Sequence, residues 1–423
     1  MGGDAAAAGD TLARLRAGRL QGLQRLDLSC GLTEFPREIF ALADTLEVLN
    51  LTGNAMQALP DDLHRLHRLR VLFCSDNRFT ELPASIGRCT QLDIVGFKAN
   101  AIEHVPEAAL PPSLRWLILT DNRIASMPDS LGRCPRMQKL MLAGNRLRTL
   151  PAALADCRQL ELLRLSANAF ERLADALPER LLALPHLTWL AHAGNPYGDA
   201  HEAQAAQARP IAWSTLKLDA RLGEGASGVI RAAQWQRDDA PPQSVAVKLF
   251  KGAMTSDGLP RSEMAASIAA GTHPQLVGVE GRIDGHPEGT QGLVMPIIPP
   301  GHRVLAGPPS LASCTRDVYA DDQRFTAEQA RRIARGVASA LAHLHARGIT
   351  HGDLYAHNIL VDDDGHALLS DFGAAAFLPT DDAPRRAALE RMDRRALGWL
   401  FEELAQRCDD PHALDADRAA ISL

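Results

Sequence analysis

The sequence predicts two domains of different class: an α/β solenoid of short repeats over residues 23–198 and an α+β domain over 213–423. A tail at 1–22 and a connector at 199–212 complete the chain. Three observations carry this. Leucine recurs with a period of 23 residues through the first half. One asparagine recurs at the same place in seven of the eight cycles. The second half then changes character and presents four short glycine-, lysine- and aspartate-bearing motifs in order. At 423 residues the chain is long enough for each domain to bury its own core.

Composition excludes several function classes. A net charge of −6, from 45 basic and 51 acidic residues, gives no reason to invoke nucleic acid or an anionic membrane. Seven cysteines, an odd number without clustered pairs, argue against a disulfide framework and against zinc. Cys89, Cys134 and Cys157 fall where other repeats carry Leu42 or Leu66, which reads as a small buried hydrophobe. The N-terminus has neither a basic region nor an apolar core, so it does not read as a secretory signal. Gly2 is not a myristoylation site, because Ala6 stands where serine or threonine is needed. With no apolar run near the length of a membrane span, the expected location is cytoplasmic.

The repeats begin at Leu23, Leu46, Leu69, Leu92, Leu114, Met137, Leu160 and Leu187, and each reads close to LxxLxLxxNxLxxLPxxLxxL. Leucines at offsets 0, 3 and 5 point inward from a short strand and the bend leading into it. Asn54, Asn77, Asn100, Asn122, Asn145, Asn168 and Asn195 occupy the turn that leaves the strand, where an amide satisfies backbone groups of the neighbouring coil. Pro60, Pro83, Pro106, Pro128 and Pro151 recur where the chain turns back along the convex side. One repeat cannot cover its own apolar face, but a stack can. The first repeat has Cys30-Gly31 in place of its asparagine and the last is stretched to 27 residues, as capping units are. The pattern resembles leucine-rich repeats.

Alternate strand residues should face the concave surface. Val48, Val71, Phe73, Ile94, Trp116, Ile118, Met141, Leu162 and Trp189 fall there, too apolar a set for a face meant only for water. The expected use is binding a protein partner or substrate. The alternative is that the chain's own second half covers the face.

In the second half, Leu222-Gly223-Glu224-Gly225-Ala226-Ser227-Gly228 reads as a strand–turn–strand whose glycines let backbone amides approach phosphate oxygens. Val245-Ala246-Val247-Lys248 is a buried strand ending in a cation, one of only five lysines, and a buried lysine needs a partner. Glu263 follows 15 residues later in a helical stretch. Leu293-Val294-Met295 reads as another strand. Residues 299–326 are Pro-rich and carry no assigned role. A helix over 327–347 leads into HGDLYAHN at 351–358, and DFG lies at 371–373.

Motifs in this order and spacing resemble the eukaryotic-like protein kinase family over residues 213–405, so that the chain is similar to a bacterial kinase fused to N-terminal leucine-rich repeats. The resemblance implies a bilobal fold and an ATP- and Mg²⁺-dependent serine/threonine protein kinase. It implies that Gly223, Gly225 and Gly228 border the phosphates and that Ile230, Ala246, Met295 and Leu360 enclose the adenine. Lys248, paired with Glu263, would hold the α- and β-phosphates. Asp353 would accept or orient the proton of the attacking hydroxyl, and Asn358 and Asp371 would bind Mg²⁺. Asp393 matches the aspartate that anchors the catalytic loop from below.

Three departures qualify the match. Gly352 replaces the arginine that in many kinases reads a phosphate on the activation loop. Tyr355 stands where serine/threonine kinases have a lysine, and HGDLYAHNIL is partly similar to the loop of aminoglycoside and choline phosphotransferases. Only 22 residues separate Asp371 from Asp393, no APE motif appears, and the C-lobe is truncated. Two alternatives therefore stand beside the kinase: a phosphotransferase for a small hydroxylated molecule, and a nucleotide-binding pseudokinase scaffold.

Overall fold

The computed structural model describes residues 2–421 apart from 226, 238, 239, 253 and 256, so Ala226 of the glycine motif lies outside the described residues. The chain divides into two compact units, Met1–Leu187 and Thr188–Leu423. The strand of the eighth repeat, Trp189–Ala191, thereby belongs to the second unit.

The first unit is a leucine-rich-repeat solenoid. Its three-residue strands run from Arg25–Asp27 to Leu162–Arg164, and each pairs in parallel with the next in strict register, as Leu72 with Val95 and Leu117 with Leu140. The returning side is built of short 3₁₀ turns, five of them opened by Pro36, Pro83, Pro106, Pro128 and Pro151, whose fixed φ suits the start of a turn. The inward leucines at Leu46, Leu69, Leu92, Leu114 and Leu160 are fully buried.

The asparagines do what their spacing predicts. Asn145 Oδ1 accepts from Ile124 N at 3.0 Å while its Nδ2 donates to Leu119 O and Leu142 O at 2.9 and 3.0 Å. Asn77, Asn100, Asn122 and Asn168 repeat this bridge, each joining its own coil to the preceding one. Each amide satisfies three backbone groups that burial would otherwise leave unpaired. All seven cysteines are free thiols. Burial pushes Cys89 and Cys134 up to about 11 and Cys157 up to about 12.

Of the nine apolar concave positions, Val71, Ile94, Leu162 and Trp189 are buried and the other five half-buried. Phe73 lies across Gly96, where an added Cβ would meet its ring at 2.6 Å. Lys139 Nζ sits 4.2 Å from the centre of the Trp116 ring. The expectation that Val71, Ile94, Leu162 and Trp189 face a partner is corrected here, because all four are buried, the Trp189 indole inside the second unit.

The second unit is an α+β bilobal fold. Its first lobe is a six-stranded sheet in the order Leu216–Glu224, Gly228–Trp235, Gln243–Phe250, Gly292–Pro296, Gly281–Asp284, Pro210–Ala212, with helix Pro260–Ala270 packed on it. The second lobe is built on helix Ala327–Ala346 and helix Ala383–Gln406. The first of these starts at a capping box in which Thr326 and Gln329 bond each other's backbone N–H groups, at 3.2 and 2.9 Å. Its buried Ile333, Val337, Leu341 and Leu344 recur every three or four residues. Beyond Gln406 the described residues form the 3₁₀ turn Pro411–Leu414 and the short helix Asp415–Ile421. The connector holds helix Asp199–Ala206, and Pro210–Ala212 joins the sheet edge. No helix among the described residues is long and apolar enough to cross a membrane.

Candidate nucleotide and phosphoryl-transfer site

Strand register assembles the upper wall. Gly223 lies opposite Ile230, Ile230 opposite Lys248, and Ala246 opposite Met295. Side chains two apart share a face of the sheet, so Ile230, Ala246, Lys248 and Met295 come to one region. Leu222, which the sequence reading did not select, is 55% exposed at the same sheet end. An apolar residue directly before the first glycine was the signal for it. The glycines differ in their reasons. A Cβ at Gly223 or Gly225 would meet nothing within 4 Å, whereas one at Gly228 would come 2.6 Å from Leu249 O. Gly228 is therefore required by its neighbouring strand, and only the first two leave open space.

Lys248 Nζ pairs with Glu263 Oε1, and the two side chains are only 12% and 5% exposed. Burial pushes the Glu263 carboxyl up to about 7; Lys248 opposes this, while the charge of Asp371 adds to it. A surplus of carboxylate around one lysine is the setting in which a cation is stabilising.

The lower wall is a loop held almost entirely through its backbone. Asp393, buried in the middle of its helix, accepts from His351 N at 2.9 Å and Gly352 N at 3.0 Å, and His345 Nε2 contacts the same carboxylate at 2.9 Å. Asn358 Nδ2 donates to Asp353 O and to Asp353 Oδ2, at 2.9 and 3.0 Å. Ser370, directly before Asp371, donates through N and Oγ to Asn358 O at 2.9 and 2.8 Å. Asp371 itself has φ +58°, a left-handed conformation uncommon for aspartate, and its Oδ1 accepts from Gly373 N at 3.0 Å. Asp353, Asn358 and Asp371 are thus brought together by a few short bonds.

The departures acquire physical causes. Gly352 has φ +71°, and a Cβ there would lie 2.5 Å from Leu190 O and 2.7 Å from Ala374 O, so an arginine has no room. Tyr355 is buried against Trp189. The segment 299–326 also gains a place. Buried Asp317 accepts from His357 N at 3.2 Å and contacts His357 Nδ1 at 2.7 Å. Burial opposes charge on this imidazole, but the Asp317 hydrogen bond and the charges of Asp317, Asp353 and Asp371 outweigh it and raise its pKa above the usual value. Sequence reasoning missed both His357 and Asp317, and nothing in residues 299–326 marked the latter.

A strand-flanked glycine turn, a buried lysine–glutamate pair and an aspartate–asparagine loop beside a second aspartate define a protein kinase domain. Residues 216–410 match the family model described as protein tyrosine and serine/threonine kinase, and residues 112–170 match that of the leucine rich repeat. The two matches fall in the order leucine-rich repeat, then protein kinase domain. It is 31% identical over 193 residues to the leucine-rich repeat receptor-like protein kinase PXC2 of Arabidopsis thaliana, covering 45% of this chain and 18% of that protein. It is 30% identical to CBL-interacting protein kinase 22 of Oryza sativa subsp. japonica, covering 44% and 40%. Against ephrin type-B receptor 4 of Homo sapiens the identity is 27%, covering 43% and 17%. The matched stretch spans less than half of each of these relatives.

Proposed function

We propose that the second unit transfers the γ-phosphoryl group of ATP to a serine or threonine hydroxyl of a protein. The observation that carries this reading is the buried Lys248–Glu263 pair held in one site with Asp353, Asn358 and Asp371. Gly223 and Gly225 leave room for backbone amides to meet phosphate oxygens. Ile230, Ala246, Met295 and Leu360, with Leu222, supply apolar walls for the base. Lys248, oriented by Glu263, holds the α- and β-phosphates. Oxygen donors from Asn358 and Asp371 suit a hard cation such as Mg²⁺. Held by these two residues, Mg²⁺ would offset the charge of the phosphates.

Asp353 accepts the proton of the attacking hydroxyl. The hydroxyl oxygen bonds to the γ-phosphorus, the bridging bond to the β-phosphate breaks, and ADP leaves. Asn358 keeps the Asp353 carboxylate aimed while this happens. The half-buried strip of Val48, Phe73, Trp116, Ile118 and Met141 recruits the protein partner, which favours a macromolecular acceptor. Dependence on ATP makes the cytoplasm the site of action.

The short segment between Asp371 and the helix that begins at Ala383 favours a second reading, transfer to a small hydroxylated molecule. The test uses the full chain, labelled ATP and Mg²⁺, with a protein extract and, separately, a library of small alcohols and sugars. Label on protein serine or threonine supports the first reading. Label only on small molecules supports the second, and label on neither contradicts both.

A further inference from the structure

We propose that residues 188–206, although they begin as the last repeat and continue as a connector, position the reacting groups of the second unit. Trp189 fixes the loop that carries Asp353, and Glu202 fixes the helix that carries Glu263. The inference rests on the kinase reading above.

Asp353 stands between Gly352 and Leu354, and the carbonyls of both are held by the strand Trp189–Ala191. Leu190 N donates to Gly352 O at 3.0 Å, and Trp189 Nε1 donates to Leu354 O at 2.9 Å. The indole also stacks on Tyr355, with ring centroids 4.3 Å apart. At 2% exposed, it has little freedom to shift. The Arg316 guanidinium lies 4.9 Å from the same ring and 3.8 Å from that of Trp399. Asp393 holds the N–H groups of His351 and Gly352 from its own helix. The backbone around Asp353 is therefore gripped through its carbonyls by one element and through its amides by another.

The same segment reaches the other half of the site. Glu202, 5% exposed, accepts from Gly194 N at 2.9 Å and from Ser262 Oγ at 2.5 Å. Ser262 is the residue directly before Glu263, and Asp199 pairs with Arg261 one residue earlier. Glu202 thus ties the end of the repeat strand to the turn of helix that aims Glu263 at Lys248. With no room for an arginine at Gly352, this segment does the holding that a phosphate reader would otherwise do.

Neither Trp189 nor Glu202 touches the reacting atoms, so both are positioning residues. Trp189→Leu removes the hydrogen bond and the ring stack; Trp189→Phe keeps the stack and loses only the bond. In the full chain, Trp189→Leu is expected to lower kcat about 10- to 100-fold at near-constant KM for ATP, with Trp189→Phe intermediate. Glu202→Ala is expected to lower kcat while thermal unfolding shows the variant folded. A readout independent of activity is amide exchange, in which residues 351–358 should exchange faster in Trp189→Leu than in the unchanged protein.

An active wild type with unchanged kcat in both Trp189 variants would overturn the inference and leave the kinase reading intact. An inactive wild type would count against the kinase reading. The exchange measurement would then decide alone, and unaltered protection of 351–358 in Trp189→Leu would overturn the positioning role.

Discussion

The indole of Trp189 lies flat against the ring of Tyr355, with centroids 4.3 Å apart and planes 10° from parallel. Such a pair contributes about 0.5–1.5 kcal/mol beyond its buried area. It also settles what Tyr355 does at a place where related kinases carry a lysine. The ring is 5% exposed and belongs to the packing beneath the loop.

Placing a lysine at position 355 should therefore do harm. Tyr355→Lys removes the stack and buries an ammonium in its place, at a cost of about 2–4 kcal/mol. The expected outcome is a lower unfolding midpoint and slower transfer, measured by calorimetry and a labelled-ATP assay.

Gly352 should tolerate no side chain. Gly352→Ala brings a Cβ to 2.5 Å from Leu190 O at φ +71°, and a cost of about 1–3 kcal/mol is expected. Gly352→Arg should be worse and should not confer control by activation-segment phosphorylation. Denaturant unfolding of both variants checks this.

The Lys248–Glu263 pair makes a prediction about coupling. Lys248→Met should reduce transfer about 100-fold or more. It also leaves the Glu263 carboxyl, 5% exposed, without its cation. Adding Glu263→Gln to Lys248→Met should recover about 1–3 kcal/mol of stability and no activity. A double-mutant cycle of unfolding free energies measures the recovery.

Acid should loosen the segment that carries Trp189. His192 is fully buried beside Tyr197, and burial lowers its pKa from 6.5 to about 4. Above pH 6.5 both folded and unfolded chains hold it neutral, so it has no effect on stability. As pH falls from 6.5 toward 4, only the unfolded chain takes up the proton, and stability drops by up to about 3 kcal/mol before levelling off. The non-titrating His192→Asn should show a flatter decline over that window, as followed by thermal unfolding at each pH.

The repeat array was legible because its signal is periodic and local. Leucines and asparagines 23 residues apart face the same partners in every coil, so the sequence states each contact seven times. Lys248, Glu263, Asp353, Asn358 and Asp371 stand out in the sequence for a different reason, as residue types that phosphate chemistry would call for, and the fold brings them into one site. What escaped notice was carried by single long-range contacts. Trp189 reads as one more apolar residue of a concave face, and only the fold places it beside Leu354, 165 residues away. Asp317 lies in a Pro-rich stretch without periodicity, and its bond to His357 has no signature in either segment. Glu202 looks like a connector charge until helix Pro260–Ala270 brings Ser262 to it. Gly352 read as a lost arginine, when the cause is the closeness of two carbonyl oxygens.

The most direct test of phosphoryl transfer is to compare the full chain with its Asp353→Asn variant. Each is incubated with γ-labelled ATP, Mg²⁺ and a protein extract, and labelled residues are identified by mass spectrometry. Label on serine or threonine that falls about 100-fold or more in the variant, with ATP binding retained, is the expected result. Equal labelling by both proteins would contradict the role given to Asp353, and no labelling by either would contradict the kinase reading.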